Sequence, residues 1–161
     1  MTEFYAQPFS MDHAGFYFSS YEAYQNGMNR LYAGGCEEVE IQFIDGEPYH
    51  AALFNAANIG QGGIALWFDA LENLDESETA QLCALLDMGY VLRDALERYD
   101  EVCLYHGSIK DYAQDLIEET TEIPETLRFY IDYEAIARDM LAGGEIIEIK
   151  HDLLFTNAHD F

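Results

Sequence analysis

Carboxylates are the side chains of this sequence with the most chemical potential: 31 Asp and Glu stand against seven Lys and Arg, for a net charge of -24. Paired acids can hydrolyse glycosidic bonds, and Asp132 with Glu134 is such a pair, but among this many acids such pairs arise by chance and select no reaction. Calcium chemistry needs an Asp-x-Asp-x-Asp-Gly loop. None occurs, and the acidic run Asp69 to Glu78 lacks the glycine bend. His13, His50, His106, His151 and His159 have no compact ligand spacing, and CxxC, HExxH and HxxxH are absent. Cys36 or Cys83 paired with a distant histidine could be drawn as a nucleophile, yet Cys83 lies on an apolar helical stripe, where a thiol is a packing group. Gly60-Gln61-Gly62-Gly63 lacks the Lys-Ser/Thr that completes a phosphate cradle, and reads as a hinge. The expectation is a protein with no catalytic residue, no metal and no cofactor.

The same charge excludes other classes. Phosphate neutralisation needs a basic surface, so direct nucleic-acid binding is excluded, and docking on anionic membrane with it. Half the residues are hydrophobic and 14% aromatic, too apolar for a disordered acidic tail, so the 161 residues fold. Three cysteines, Cys36, Cys83 and Cys103, make no disulfide framework. Met1 to Phe9 has no signal-like basic and apolar pattern, and no run reaches about 18 apolar residues. The reading is a soluble, cytoplasmic protein.

The elements that must position the acids follow from local pattern. Aromatic pieces at Phe4 to Phe9 and Phe16 to Phe18 surround a turn at Asp12 to Gly15. Ser19 or Ser20 caps a helix over Tyr21 to Ala33 that Gly34-Gly35 stops. Val39, Ile41 and Phe43 alternate with Glu38, Glu40 and Gln42 as a half-buried strand, ended at Asp45-Gly46-Glu47-Pro48. Tyr49 to Ile59 is ambiguous between helix and strand. Ile64 to Leu71 is an apolar run; Asp75 with Glu78 makes an acidic capping box before Ala80 to Leu86, closed by Gly89, and a helix near Tyr90 to Tyr99 follows. Val102 to Tyr105 is a short strand, Ile109 to Glu119 a helix burying Tyr112, Ala113 and Leu116, and Pro124 suits a first helical turn leading into a helix or helix pair through Leu127, Tyr130, Tyr133, Ile136, Ala137 and Met140, ended by Gly143-Gly144. Glu145 to Lys150 pairs with Leu153 to Thr156. This is an α+β chain, read as three modules: an α/β module with a small antiparallel sheet at 1–62, a short-helix module at 63–103 that must lean on a neighbour, and an α+β module at 104–161. Tyr105, Tyr112, Phe129, Tyr130 and Tyr133 form an aromatic stripe, read as core or subunit interface.

Acid is spread through all three segments, whose net charges are -7, -8 and -9. Self-repulsion of that size destabilises any compact state, so a fold that keeps it uses it. Duplex DNA carries one charge per roughly 1.7 Å of axis. A two-fold dimer would carry about 48 negative charges, equivalent to roughly 80 Å of duplex, and rigid carboxylates could then occupy a Lys- and Arg-lined groove in place of DNA.

Specific motifs carry this further. Tyr105-x-Gly107, Asp111-Tyr112-Ala113-x-x-Leu116, Ile123-Pro124-x-x-Leu127 and above all Tyr130-Ile131-Asp132-Tyr133-Glu134-Ala135-Ile136-Ala137-Arg138-Asp139 resemble the antirestriction protein ArdA family. The likeness extends loosely back through Trp67 to about residue 63. In the first 62 residues the family's opening motif is replaced by Asp12-His13-Ala14-Gly15-Phe16-Tyr17. The resemblance implies an elongated dimer of three modules per chain, joined through the C-terminal modules, that mimics bent B-form DNA. It implies carriage on mobile elements and occupation of the DNA site of type I restriction-modification enzymes. Asp111, Asp115, Asp132, Glu134 and Asp139 match acidic positions of the family.

Outward-facing periodicity adds Glu38, Glu40, Asp69, Glu72, Asp75, Glu76, Asp87, Asp94, Glu97, Asp100, Glu101, Glu118, Glu119 and Glu122 to the carboxylates expected to meet the target. Within the last motif, Tyr133, Ile136 and Ala137 read as core, Arg138 as a partner of Glu134, and Asp132 as a possible helix cap. Two rivals are an acidic module for another basic protein (a CRISPR effector, a nucleoid protein or a DNA glycosylase) and halophilic acidity over an unrelated function, which the presence of only two lysines fits.

Overall fold

A computed structural model describes all 161 residues, which fall into two compact units, Met1–Ala95 and Leu96–Phe161. Fifteen acids and two bases lie in the first and sixteen acids and five bases in the second, for nets of -13 and -11.

The first unit is organised around one strand. The aromatic piece at the N-terminus is β1 (Glu3–Pro8), whose alternate residues Phe4, Ala6 and Pro8 point inward. It is the centre of an antiparallel sheet, with β2 (Phe16–Phe18) on one side and β3 (Val39–Asp45) on the other. Phe4 is fully buried, with ring centroids of Phe18, Phe43, Phe54, Trp67 and Phe68 at 5.4 to 5.7 Å. Edge-to-face aromatic pairs add specific geometry to the gain from burial, so this one side chain ties the sheet to the helices over it. Helix α1 (Tyr21–Ala33) starts as expected, with the Ser20 hydroxyl accepting from Ala23 N–H. The left-handed residue that ends it is Gly35, at φ 85°. Gly27, inside α1, is buried against the Phe16 ring: a Cβ there would overlap the ring. The absence of a side chain is what lets α1 approach β2.

The ambiguous stretch is helical, α2 (Pro48–Ala56), with Pro48 in the first turn. The glycine run, expected as a hinge, forms a turn with its own hydrogen bonds. The Gln61 side chain accepts from Val39 N–H at 3.1 Å and donates to the Glu37 carbonyl at 2.9 Å, and Gly63 N–H donates to Gly60 O. Two more helices follow, α3 (Ile64–Asp69) and α4 (Glu76–Asp87). The Asp75–Glu78 capping box of α4 is formed. Trp67 and Leu71 are wholly buried beside the sheet's aromatic residues, and α4 packs on α2. The helix expected near Tyr90 to Tyr99 is shorter, α5 (Leu92–Leu96), followed by a single 3-10 turn at Tyr99–Glu101.

In the second unit, β4 (Leu104–His106), β5 (Ile147–Lys150) and β6 (Leu153–Phe155) form an antiparallel sheet in the order β4-β6-β5. The expected β5–β6 pairing is present, and all three residues of central β6 are buried. The C-terminal segment is tied back to residues 101–103: Thr156 N–H donates to Cys103 O at 3.0 Å, and the Asn157 side chain accepts from Cys103 N–H at 2.8 Å. Arg98 lies over the Phe161 ring at 4.3 Å and pairs with Glu101 at 2.9 Å. Helices α6 (Ile109–Thr120) and α7 (Tyr133–Gly143) pack together, each with one buried residue, Ala113 and Ala137. Tyr112, Leu116, Tyr133 and Ile136, expected in the core, are half-buried.

Pro124 does not open an α-helix, and the helix or helix pair expected after it is a short 3-10 turn and a separate, later helix. Residues 122–124 have no regular secondary structure, Leu127 N–H closes a turn on Pro124 O at 2.8 Å, and a 3-10 turn spans Arg128–Tyr130. Helix α7 starts only at Asp132, whose carboxylate accepts from Ala135 N–H at 2.9 Å. The reason is packing: Leu127, Phe129 and Tyr130 are 54%, 90% and 84% exposed, so no apolar contact within the chain holds this segment helical.

Candidate functional site

Every one of the nineteen carboxylates expected to meet a target is at the surface, Glu72 and Asp94 half-buried and the rest exposed. In the first unit, Glu38 and Glu40 sit at the start of β3, Asp69 at the end of α3, and Asp75, Glu76 and Asp87 along α4. Several have local duties: Glu72 accepts from Thr2 N–H at 3.0 Å, Asp75 caps α4, and Asp94 pairs with Arg93 at 3.1 Å. Acid is not uniform over this unit. The stretch from His13 to Gly35, which contains α1, carries only Glu22 and Arg30 as charged residues, so the face presented by α1 is close to neutral.

In the second unit four acids align along one helix. With 3.6 residues per turn, Asp111, Asp115, Glu118 and Glu119 fall within an arc of about 100° on α6, opposite buried Ala113. A rise of 1.5 Å per residue spreads the four over about 12 Å, a charge roughly every 4 Å. One strand of duplex DNA presents a charge every 3.4 Å or so. Glu122 follows just beyond the helix end.

Three of these four are held in place. Asp111 closes a capping box with Ser108, whose hydroxyl lies 2.7 Å from the Asp111 carboxylate. Tyr105, projecting from β4, donates its phenol to Asp115 Oδ2 at 2.7 Å. Gln114 donates to Glu118 Oε1 at 3.1 Å, and the phenol of Tyr133 from α7 reaches the same oxygen at 3.4 Å. The bond to Asp115, with the neighbouring acids, pushes the Tyr105 phenol up to about 12, and Tyr133 is raised also, through burial and Glu118. Both phenols therefore remain neutral donors across the physiological range.

On α7, Asp132 does serve as a cap, and Asp139 is exposed. Glu134 is not the partner of Arg138 that helical spacing suggests; it pairs with Lys110 of α6 at 3.0 Å. A cation on a neighbouring helix has outcompeted the one four residues away. No local pattern marks Lys110, Tyr105 or Tyr133 as holders of carboxylates, since each reaches its acid across ten to twenty-four residues of chain.

Groups that could have supported other chemistry are dispersed. His50 is buried, stacked edge-on to Trp67 at 5.8 Å, with Nε2 3.4 Å from the Leu74 carbonyl. His13 lies 2.9 Å from Gly34 O, at the end of α1. Burial and Asp87 push the Cys83 thiol up to about 11, which disfavours a thiolate nucleophile. No group of three or more His, Cys, Asp or Glu is arranged to hold a metal, and no helix is long and apolar enough to cross a membrane.

The fold and the surface define a strongly acidic protein of mixed α and β structure whose carboxylates face outward. A family model described as antirestriction protein (ArdA) matches residues 12–155, and the chain belongs to that family. The match begins at Asp12, so it takes in β2, α1 and β3, well before the C-terminal motifs that resemble the family in sequence. No curated protein matches the chain.

Proposed function

We propose that this antirestriction protein works without catalysis, as a two-fold dimer in the cytoplasm that presents its carboxylates in place of DNA phosphates and so occupies the DNA-binding site of type I restriction-modification enzymes. The observation that supports this best is the α6 face, whose charge spacing of about 4 Å approaches that of a nucleic-acid strand. The nineteen carboxylates supply the rest of the surface, those of α6 and α7 at its densest part. Exposed Leu127, Phe129 and Tyr130 support the dimer, since an apolar patch beside so much charge has reason to be covered by a second copy. Binding draws on attraction to a basic groove and on release of the anions condensed there.

The experiment is restriction of incoming DNA. Cells carrying a type I system should admit unmodified plasmid when this protein is expressed, and purified type I enzyme should fail to cleave in its presence. Unchanged restriction in both assays would refute the target. Inhibition of a different basic DNA-binding protein in its place would move the reading to that partner.

A further inference from the structure

We propose that Tyr105 and Tyr133 are positioning residues for target binding: their phenols fix Asp115 and Glu118 so that the α6 acids meet the partner already ordered. This rests on the reading that the α6 face is part of the binding surface.

The two contacts have a common form. Each tyrosine comes from a different element, β4 or α7, and reaches across to α6. Each donates to one oxygen of an exposed carboxylate, Oδ2 of Asp115 at 2.7 Å and Oε1 of Glu118 at 3.4 Å, the second shared with the Gln114 amide at 3.1 Å. The second oxygen of each remains for a cation of the partner. Asp115 and Glu118 are three residues apart, so the phenols hold neighbouring charges of the stripe. An exposed acid ordinarily samples several rotamers and must lose that freedom on binding a fixed cation. A phenol that has already selected the rotamer removes this loss from the binding step. It does so without cancelling the negative charge, as a lysine would: Lys110 brings a positive charge to Glu134 at 3.0 Å, whereas tyrosines bring none to Asp115 and Glu118. In a molecule with only seven Lys and Arg, a neutral donor is the way to order an acid and keep its field.

The test separates order from charge. Tyr105→Phe, Tyr133→Phe and the double variant keep the net charge, whereas Asp115→Asn and Glu118→Gln change it. Affinity for purified type I enzyme is measured over a salt series for each full-length variant, beside its thermal midpoint. The phenylalanine variants should each bind about 3- to 10-fold more weakly at every salt concentration, with the salt slope unchanged. Asp115→Asn and Glu118→Gln should lower the slope itself. In the Asp115→Asn background, adding Tyr105→Phe should cost much less than it does alone, a coupling that loss of fold stability does not produce. Phenylalanine variants that bind as tightly as the parent, or whose loss is the same with and without Asp115, overturn the proposal while leaving the binding surface intact. If Asp115→Asn and Glu118→Gln also leave affinity and slope untouched, it is the binding surface itself that fails.

Discussion

Neutralising the outer acids of α6 puts a number on the electrostatic account. A variant with Asp115→Asn, Glu118→Gln, Glu119→Gln and Glu122→Gln removes four charges, taking the second unit from -11 to -7, and spares Asp111, which the capping box needs. In protein–DNA complexes each neutralised phosphate contributes about 0.9 to the slope of log affinity against log salt. If each carboxylate replaces one phosphate, the slope shrinks by up to about 3.6, and raising salt from about 50 to 200 mM costs the variant up to ~150-fold less affinity than it costs the parent. The two should differ most at low salt and converge as screening shortens the reach of each charge. Titration of labelled protein with a type I enzyme at four salt concentrations measures this, with circular dichroism to confirm the fold. A parent slope close to zero, or a variant slope equal to the parent's, would refute the reasoning. So would a single exposed carboxylate whose loss alone ends inhibition in a folded protein, because that behaviour belongs to a catalytic group.

Three further outcomes follow from the packing. Gly27→Ala should destabilise the first unit by about 1–3 kcal/mol in urea denaturation, because the added methyl must displace the Phe16 ring; an unchanged midpoint would show that the ring yields freely. Burial raises the Tyr24 phenol to about 12, so its neutral form contributes stability in full below the unfolded value near 10 and loses it as pH climbs through 12. Tyr24→Phe should therefore show a shallower fall in stability over that alkaline window, read by denaturation at a series of pH values, and equal slopes would contradict the assignment. Among the thiols, exposed Cys103 should react first with an alkylating reagent and buried Cys36 last, as mass spectrometry of timed samples would reveal; early modification of Cys36 would count against the packing of the β3 end.

How much was legible in the sequence depended on whether the deciding contact is local. Ser20 and Asp75 mark helix starts by side-chain bonds to the residue three further on, so the starts of α1 and α4 can be read from a few adjacent letters. The alternation of Val39, Ile41 and Phe43 likewise fixes β3. The stretch at Pro48–Ala56 defeated the same reasoning because burial of His50, Leu53 and Phe54 depends on aromatic partners in β1 and α3. Pro124 misled in the opposite way: its residue type favours a first turn, but Leu127, Phe129 and Tyr130 are left mostly exposed. At the surface, periodicity located the α6 acids, since a helix repeats every 3.6 residues. It could not find the phenols holding them, nor that Lys110 takes Glu134 from Arg138, because these contacts are made between elements.

The central claim is that protein and DNA contend for one groove. Displacement tests it most directly: labelled protein bound to a type I enzyme is titrated with unlabelled duplex containing the recognition site, and the amount of duplex needed to release half is measured as protein concentration rises. Exclusive occupation predicts that the half-release concentration increases in proportion to the protein present, with no ternary complex. A ternary complex of enzyme, duplex and protein, or a half-release point independent of protein concentration, would show that the protein binds elsewhere and would contradict the account.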